Sequence, residues 1–410
     1  MTTHATPNSG EVISLRNLRA MAHDGTRLRY ALMELAAQIP DAIALGRGDP
    51  DLNTPGHVIA AARQAVEDGR ADVPAPSAGL PELREAIARK LREENGIPVD
   101  ASGVLITSGG QEALYLLIQA LLDPGDEILV PDPRYTSYDQ AIKQAGARMV
   151  LVPTYPEDNF DLRPAEVEAR ITSKTKALLL VSPNNPTAGI ISPANLRAIA
   201  EIARRHDLVV VSDEIYEKLV YPPGEHLSIA SLPGMFERTV TLNGVSKTYA
   251  MTGWRIGYLA APPEVIEALT VLKQVISGRT ASVSQYAALA AITGPQDIVQ
   301  EYHAIYTRRR QILLDGLHSL GFTYGEPLGG FYVYTNAAST GLSAFELSYL
   351  LLKEGHVLIF PGTAFGERWS DWLRISWLQP EDVLQEALDR MATVLAQHRE
   401  PLNPVGTAGE

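Results

Sequence analysis

The chain contains no cysteine, so it has no disulfide bond, thiol nucleophile or cysteine-ligated metal. It also lacks an uninterrupted apolar run of membrane length. Residues 1–20 have no apolar core of the kind that a signal peptide requires. We therefore expect a cytoplasmic protein that does not contact a membrane.

Basic residues are outnumbered: 35 Lys and Arg stand against 48 Asp and Glu, which gives a formal net charge of −13. No local cluster of basic residues offsets this balance, so we expect no nucleic-acid partner. The nine histidines are scattered without the spacing of metal ligands, and we expect no metal site. A length of 410 residues exceeds one ordinary core and predicts two lobes.

Apolar runs alternate with helix-like segments through the middle of the chain. The runs are nearly continuous in Val, Ile and Leu, and they predict strands at residues 103–107, 127–130, 148–152, 177–182, 208–212, 239–242 and 256–260. Helical periodicity between most of them, as in 110–122 and 192–206, predicts an α/β fold of three layers. Its centre is a mostly parallel seven-stranded sheet with helices on both faces.

The two ends of the chain predict a smaller α+β domain. A helix is expected at 25–39, another at 299–320, and strands at 331–335, 357–360 and 373–377. The predicted division is an N-terminal segment, a large domain, a small domain and a flexible Pro/Gly-rich tail, at residues 1–50, 51–295, 296–398 and 399–410. Ligands of such sheets bind at the carboxyl ends of the strands, where we therefore look for functional residues.

Two loops after predicted strands are candidates for ligand contacts. In "TSGGQEAL" (107–114) a strand runs into two glycines and a helix, whose free N–H groups attract anions such as phosphate. Gly-Gly at this place is also typical of a plain turn. In "VSPNNPTAG" (181–189) Asn185 either belongs to an ordinary turn or directs its amide into a site.

An aspartate follows the apolar strand in "LVVVSDEIYEKL" (208–219). One interpretation is that Ser212 or Asp213 caps a following helix. The other is that Asp213 is a buried carboxylate that needs a cationic partner, with Tyr216 near the same ligand. The residues alone leave both open.

Three basic residues stand in otherwise apolar or neutral surroundings. Lys247, in "NGVSKTYAMTGWRIGY" (243–258), is either a surface lysine or a buried nucleophile able to form a Schiff base. Arg255 offers a bidentate clamp for an anion. Arg374, inside the strand-like "WLRISW" (372–377), requires a partner, either a ligand carboxylate or a structural acid.

Together these features supply what pyridoxal 5′-phosphate requires: a lysine for its aldehyde, an acid for its ring nitrogen, donors for its phenolic oxygen and a phosphate site. The order Asn185, Asp213, Lys247, Arg255 and Arg374 resembles that of the class I/II aminotransferases, which are fold type I pyridoxal-phosphate enzymes. The resemblance extends from about residue 30 to about residue 395.

The resemblance implies a role for each matching residue. Catalytic roles fall on Lys247, Asp213 and Tyr216. Cofactor contacts are implied for Gly110, Gln111, Tyr135, Asn185, Asp213, Tyr216, Ser246, Lys247 and Arg255. Substrate binding is implied for Gly48, Asn185 and Arg374. A homodimer is also implied, since members of the family share their phosphate sites between subunits.

Within that scheme Lys247 would bind the cofactor aldehyde and move the proton of the substrate Cα. Asp213 would pair with the ring nitrogen, while Asn185 and Tyr216 would donate to the phenolic oxygen. Tyr135, in "PDPRYTSY", would stack on the ring. Backbone N–H groups of Gly110 and Gln111 would hold the phosphate with Ser246 and Arg255. Arg374 would bind the substrate α-carboxylate, helped by the backbone of Gly48.

Two positions depart from the family pattern. Pro74 stands where the family usually has a tyrosine that reaches the neighbouring subunit's phosphate site. Arg47 stands where a small or apolar residue is usual. We hypothesise that Arg47, together with Arg279, recognises a second anionic group on the substrate; the alternative is that Arg47 pairs with Asp49 or Asp51.

We therefore expect an aminotransferase that exchanges an amino group between an L-amino acid, including one with an acidic side chain, and a 2-oxo acid. The alternative is a pyridoxal-phosphate-dependent lyase, decarboxylase or oxidase, and Pro74 is the main reason for keeping it. A dinucleotide-binding site is excluded because "GRGDPD" (46–51) lacks the third glycine of that motif. A serine hydrolase is excluded because there is no G-x-S-x-G.

Overall fold

A computed structural model of the chain describes residues 24–398. The predictions for residues 1–20 and for the tail at 399–410 lie outside the described residues. Within the described part no helix has both the length and the apolar character needed to cross a bilayer.

The described helices and strands follow one another much as the apolar pattern predicts. The helices are α1 Asp24–Ala36, α2 Gly56–Glu67, α3 Pro81–Asn95, α4 Gly110–Leu121, α5 Ser137–Gln144, α6 Pro164–Glu168, α7 Pro193–Arg205, α8 Pro263–Ile276, α9 Ser282–Thr293, α10 Asp297–Ser319, α11 Ala344–Gly355 and α12 Glu381–His398. The strands are β1 Ile43–Ala44, β2 Val104–Thr107, β3 Glu127–Asp132, β4 Arg148–Pro153, β5 Thr175–Val181, β6 Val209–Asp213, β7 Thr239–Gly244, β8 Gly257–Ala260, β9 Thr323–Tyr324, β10 Tyr332–Asn336, β11 Val357–Leu358, β12 Phe360–Pro361 and β13 Trp372–Ser376.

Local sequence signals account for several helix starts. A proline opens α3, α6, α7 and α8, where its missing N–H costs no hydrogen bond. The Ser192 side chain accepts a hydrogen bond from the Asn195 N–H at the start of α7. Ser343 and Glu346 form a capping box at the start of α11.

Seven strands form one sheet in the order β2-β8-β7-β6-β5-β3-β4. The neighbours β7, β6, β5, β3 and β4 run parallel, whereas β8 is antiparallel to both β2 and β7. The register places Asp213 opposite both Val181 and Leu242. The predicted mostly parallel sheet of seven strands is confirmed.

Alternate residues of the central strands pack on opposite faces of this sheet. On β5, Leu179 belongs to a buried cluster with α4, α5 and α8, while Leu178 and Leu180 belong to a cluster with α7. Ile106 on β2 belongs to a third cluster with α2, α3 and α9. Burial on both faces explains why the strands are continuously apolar, and it confirms the three layers.

The second sheet has the order β12-β13-β10-β9 and is antiparallel. β1 pairs in parallel with β11, where Ile43 lies opposite Val357. Ile43 and Leu45 share one buried cluster with residues of α10, α11 and α12. The N-terminal segment thus packs with C-terminal elements, although the predicted boundaries at 50/51 and 295/296 stay predictions.

Candidate active site

A cavity of about 510 Å³ opens at the carboxyl edge of the seven-stranded sheet. Both sheets line it: Val181, Asp213 and Leu242 come from the large sheet, and Tyr332 and Arg374 from the second sheet. The volume lies within the range of small-molecule sites.

The topology explains why residues distant in sequence meet here. Asp213 is the last residue of β6, Asn185 follows β5 by four residues, and Lys247 follows β7 by three. The carboxyl ends of parallel strands lie on one edge. Arg255 precedes β8, and because β8 runs antiparallel its start lies on that same edge.

Lys247 faces this cavity, and its side chain is only 16% exposed. The Nζ atom donates to the carbonyl oxygen of Gly48 at 2.6 Å and lies 3.8 Å from Oδ1 of Asp49. Burial lowers the pKa of Lys247 to about 8, and the charges of Arg374 and Arg255 act in the same direction. A fraction of the amine is therefore neutral and nucleophilic near neutral pH.

Asp213 is buried at the end of its strand. Its Oδ2 accepts a hydrogen bond from the Tyr138 hydroxyl at 2.7 Å, and its Oδ1 accepts one from the Ile215 N–H at 3.2 Å. Burial raises the pKa of Asp213 to about 6, although the Tyr138 hydrogen bond opposes this rise. No helix begins at Ser212 or Asp213 in the described structure, so the helix-cap interpretation is wrong.

Tyr216 is buried beside the same cavity. Its hydroxyl shares a hydrogen bond with Tyr332, and its ring packs edge-on against Phe331 with ring centroids 5.3 Å apart. Burial raises the pKa of Tyr216 well above its ordinary value. The hydroxyl is therefore protonated and available as a donor.

The start of α4 forms an anion-attracting end of the cavity, lined by Gly110, Gln111, Ser246 and Arg255. Gly109 precedes the helix with a φ of +85°, and a Cβ there would lie 2.5 Å from Nη2 of Arg255. The described residues contain no ion-pair partner for Arg255. Backbone donors and a guanidinium therefore converge on a space without a protein acid.

Arg374 is buried, with its Nη1 donating to Oδ1 of Asn185 at 2.9 Å and its Nη2 donating to the carbonyl oxygen of Gly46 at 2.6 Å. Its guanidinium lies over the ring of Tyr332, 4.2 Å from the centroid. Among residues 28–398, whose side chains the structure describes, no acid pairs with it, and its Nε has no hydrogen-bond partner. The structural-acid interpretation is therefore wrong for the described part of the chain.

Arg47 is exposed and lines the cavity. The acids considered as its partners are engaged elsewhere: Asp49 lies near Lys247, and Asp51 pairs with Arg309 at 2.7 Å. No ion pair of Arg47 occurs in the described part of the chain. Arg279 is exposed on the turn after α8 and does not line the cavity of its own chain.

Tyr135 and Gly48 also line the cavity, as the resemblance implies. Pro74 is exposed, on a segment fixed by the hydrogen bond from the Ala75 N–H to Oγ of Ser282, 3.1 Å long. The tyrosine hydroxyl that the family usually has at this position is therefore absent from residue 74.

Sequence reasoning gave no role in the site to several polar cavity residues, among them Arg29, Tyr138 and Tyr332. Arg29 lies on α1, with its guanidinium 5.5 Å from the centroid of the Tyr135 ring. Tyr332 resembles a core aromatic of an apolar strand, and Tyr138 a residue of an ordinary helix. The only sequence signal for Tyr138 is that Ser137 and Tyr138 follow soon after the end of a predicted strand.

The residues present fit pyridoxal phosphate by the chemistry of their donors. A neutralisable amine, a buried carboxylate without a cation, hydroxyl and amide donors, and a helix start with a guanidinium line one cavity. Gly109 and Gly257 leave room that side chains would fill, since a Cβ on Gly257 would lie 2.6 Å from the carbonyl carbon of Gly109. The cradle at the start of α4 thus depends on both glycines.

The α/β architecture, with these residues at the edge of the sheet, is that of the fold type I enzymes. The family model "Aminotransferase class I and II" matches residues 40–391. The chain belongs to that family, and it is an enzyme that exchanges an amino group between an amino acid and a 2-oxo acid.

Similar proteins cover nearly the whole chain. An aspartate aminotransferase of Pyrococcus abyssi is 41% identical over 371 residues, which is 90% of this chain and 95% of that protein. An aromatic-amino-acid aminotransferase of Thermococcus litoralis is 40% identical over 371 residues, with the same coverage of 90% and 95%. The solved aspartate aminotransferase of Thermus thermophilus with maleate has a TM-score of 0.87 and 40% identity, and covers 93% of this chain and 99% of its own. The lyase alternative is not favoured, since these proteins are all named aminotransferases.

The raised pKa of Asp213 predicts a pH-dependent stability in the cofactor-free protein. The native state holds the Asp213 proton up to about pH 6, whereas the unfolded state releases it near 3.8. The stability that this group contributes is therefore fully present below pH 3.8, and it is lost as the pH rises through about 6. Asp213→Asn, which does not titrate, should gain stability relative to wild type by about 3 kcal/mol across this window.

Urea unfolding from about pH 4 to about pH 7 would measure this difference. The control is Gln385→Ala, which removes an exposed side chain without a titratable group, and its difference from wild type should stay constant. If the free energies of unfolding of wild type and Asp213→Asn changed equally with pH, the prediction would be contradicted.

Proposed function

We propose that this aminotransferase binds pyridoxal 5′-phosphate in the cavity at the carboxyl edge of the seven-stranded sheet. The observation that carries the proposal is that Lys247, with a pKa lowered to about 8 by burial, shares this cavity with Asp213, Arg374 and the start of α4. Each polar group of the cofactor has a matching partner among these groups.

Bound pyridoxal phosphate supplies an aldehyde for the amino group and a protonated ring that withdraws electrons from the substrate Cα. In this proposal Lys247 binds the aldehyde and later carries the proton of Cα. Asp213 holds the proton on the ring nitrogen, because a carboxylate in contact favours the charged form of that nitrogen. Tyr138, which donates to Asp213, holds the carboxylate in place.

The remaining cofactor contacts match the donors of the cavity. Tyr216 and Asn185 donate to the phenolic oxygen, and Tyr135 stacks on the ring. The phosphate is assigned to the backbone N–H groups and side chains at the start of α4 and before β8, namely Gly110, Gln111, Ser246 and Arg255. This assignment is supported by the lack of an acidic partner for Arg255 among the described side chains of residues 28–398.

Arg374 is proposed to bind the substrate α-carboxylate. Asn185 and the carbonyl of Gly46 hold two nitrogens of the guanidinium, while Nε is unpartnered. The backbone of Gly48 completes this subsite. Because Gly48 also accepts the hydrogen bond of Lys247, the amine and the carboxylate subsite share one backbone segment.

Arg47 is proposed to bind a second carboxylate, so that L-aspartate or another dicarboxylic amino acid is a substrate. Arg47 lines the cavity, and the acids beside it are engaged with other cations. Two similar proteins are named aspartate aminotransferases, and the Thermus thermophilus structure holds maleate, a dicarboxylate. These names support the substrate class.

The first prediction from this proposal concerns the half-reaction. Adding L-aspartate alone to the purified protein should remove the visible absorbance band of bound cofactor, and 2-oxoglutarate should restore it. Lys247→Ala should abolish the change, since no other lysine lines the cavity within the described residues. An absorbance scan after each addition measures each step.

Two results would contradict the proposal. Protein that binds no pyridoxal phosphate after addition of the cofactor would remove its basis. An irreversible spectral change accompanied by free ammonia or carbon dioxide would instead support the lyase or decarboxylase alternative.

The second prediction concerns the substrate. Arg47→Ala should lower kcat/KM for L-aspartate by about tenfold or more, because a hydrogen bond between two charged groups is lost. For L-alanine, kcat/KM should change little. Arg47→Lys, which keeps the charge, should retain part of the preference.

Arg63→Ala is the matched control, since it removes an exposed arginine of α2 that does not line the cavity. Arg279→Ala tests whether the second arginine of the hypothesis takes part. Equal losses for both donors in Arg47→Ala would contradict a role in recognising the second carboxylate.

A homodimer is proposed as the working form. Val271, Val275 and Ile276 of α8 are 64%, 82% and 46% exposed, and Val73 beside Pro74 is 65% exposed. Apolar side chains this exposed are typical of an interface. A cytoplasmic location also stays a proposal, which fractionation of the native cells would test.

Light scattering should therefore give twice the mass of one chain. The double substitution Val271→Asp with Val275→Asp should shift the protein towards the monomer. Gln385→Asp with Thr393→Asp on α12, at exposed polar positions, is the control and should remain dimeric. A wild-type mass of one chain would contradict the proposal.

A further inference from the structure

A fully buried lysine lies outside the cavity, on α8. Lys273 has no exposed surface, and its Nζ lies 3.7 Å from Oε1 of Glu112 and 3.1 Å from the carbonyl oxygen of Gly278. A buried ammonium is costly unless it is paired and hydrogen-bonded. The pair with Glu112 is therefore a buried ion pair with a specific role, and not an ordinary surface ion pair.

Glu112 connects this pair to the start of α4. It stands in the first turn of that helix, its side chain is 10% exposed, and its Oε2 accepts a hydrogen bond from the Ser108 N–H. Its Oε1 accepts a hydrogen bond from the Ser277 hydroxyl. The carboxylate thus fixes the turn that precedes Gly110 and ties it to the loop after α8.

The position of this carboxylate creates an electrostatic conflict. Glu112 is two residues from Gly110, which lines the proposed phosphate end, and its carboxylate accepts the Ser108 N–H in the turn that leads into that end. A carboxylate in the first turn draws on the same positive potential that would attract a phosphate. An uncompensated Glu112 would therefore weaken binding of a dianion.

We propose that Lys273 is a positioning residue for the phosphate subsite, which neutralises Glu112 and keeps it available to hold the Ser108 N–H. The inference rests on the proposed function, since it presumes that the start of α4 binds a phosphate. Lys273 itself does not line the cavity and acts through Glu112. Removing its charge leaves the carboxylate unopposed beside the anion.

A purely structural role makes a different prediction. If the pair only fixes the loop at 277–280, then loss of either partner should weaken ligand binding in the same direction. If the pair sets the charge at the subsite, loss of the lysine and loss of the carboxylate should act in opposite directions. The sign of the effect therefore separates the two.

The test uses the full-length chain freed of cofactor, with Lys273→Met, Glu112→Gln and the double variant. Dissociation constants are measured for pyridoxal 5′-phosphate, for inorganic phosphate and for pyridoxal, which lacks the phosphate. Lys273→Met should weaken binding of both phosphate-bearing ligands by about tenfold, which is the size of effect expected when one unpaired carboxylate lies near the bound anion. Glu112→Gln, which keeps an acceptor for Ser108, should tighten it by about threefold.

The double variant should return to within about threefold of wild type, since neither charge remains. Binding of pyridoxal should stay nearly unchanged in all three variants. Lys176→Met is the matched control. It removes a lysine that pairs with Asp123 and Asp126, which follow the far end of α4, and that end is about 18 Å from the start of the helix. Its affinities should equal those of wild type.

Two outcomes overturn the inference. Glu112→Gln that weakens phosphate binding as Lys273→Met does would assign the pair a structural role. A uniform loss that includes pyridoxal would do the same. If Lys273→Met does not fold, Glu112→Gln and the double variant still decide the sign, whereas a wild-type chain that binds no pyridoxal phosphate refutes the proposed function.

Discussion

Lys247 donates to the carbonyl oxygen of Gly48, and this contact joins the end of a large-sheet strand to the segment after β1. Arg374 makes a second connection, since it reaches from the second sheet to Asn185 and to the carbonyl of Gly46. Residues 46–48 therefore set the spacing between amine and guanidinium. The same packing removes water from Lys247, and this burial lowers its pKa to about 8. The proposed amine and carboxylate subsites thus depend on one backbone segment.

The strands and the polar residues that end them could be predicted from the sequence. A strand buried on both faces is almost continuously apolar, so a charged residue such as Asp213 marks its end clearly. The same contrast marks Arg374 inside an apolar run. Parallel topology then places the residues after β2, β3, β5, β6 and β7 on one edge, without any knowledge of side-chain geometry. The residues that meet at this edge could therefore be inferred from their order, whereas their roles were implied by the family resemblance.

Other parts of the site left no signal of this kind. The two-residue strands β1 and β9 are too short to show a period. Tyr332 lies in a strand where an aromatic residue is ordinary core, and only the approach of the second sheet brings its ring under Arg374. The helix-cap interpretation of Asp213 failed because capping residues and buried carboxylates share the same short polar side chains. After β6 the chain forms a series of turns, held by tertiary contacts that no local pattern contains.

The pairing of buried charges separates the site from the rest of the molecule. Among the described residues, buried acids away from the cavity each lie beside a basic side chain: Glu127 beside Arg148, Asp132 beside Arg134 and Arg368, Glu214 beside His226, and Glu217 beside Lys90. Buried cations away from the cavity are matched in the same way: Arg134 with Asp139, Lys273 with Glu112, Arg309 with Asp51, and Arg310 with Glu326. Among the side chains that the structure describes, those of residues 28–398, Asp213 and Arg374 are the buried charges without an opposite charge, and both line the cavity. Because an unpaired buried charge is costly, this arrangement supports the proposal that ligands supply the missing partners. In that proposal a protonated ring nitrogen matches Asp213, and a substrate carboxylate matches Arg374.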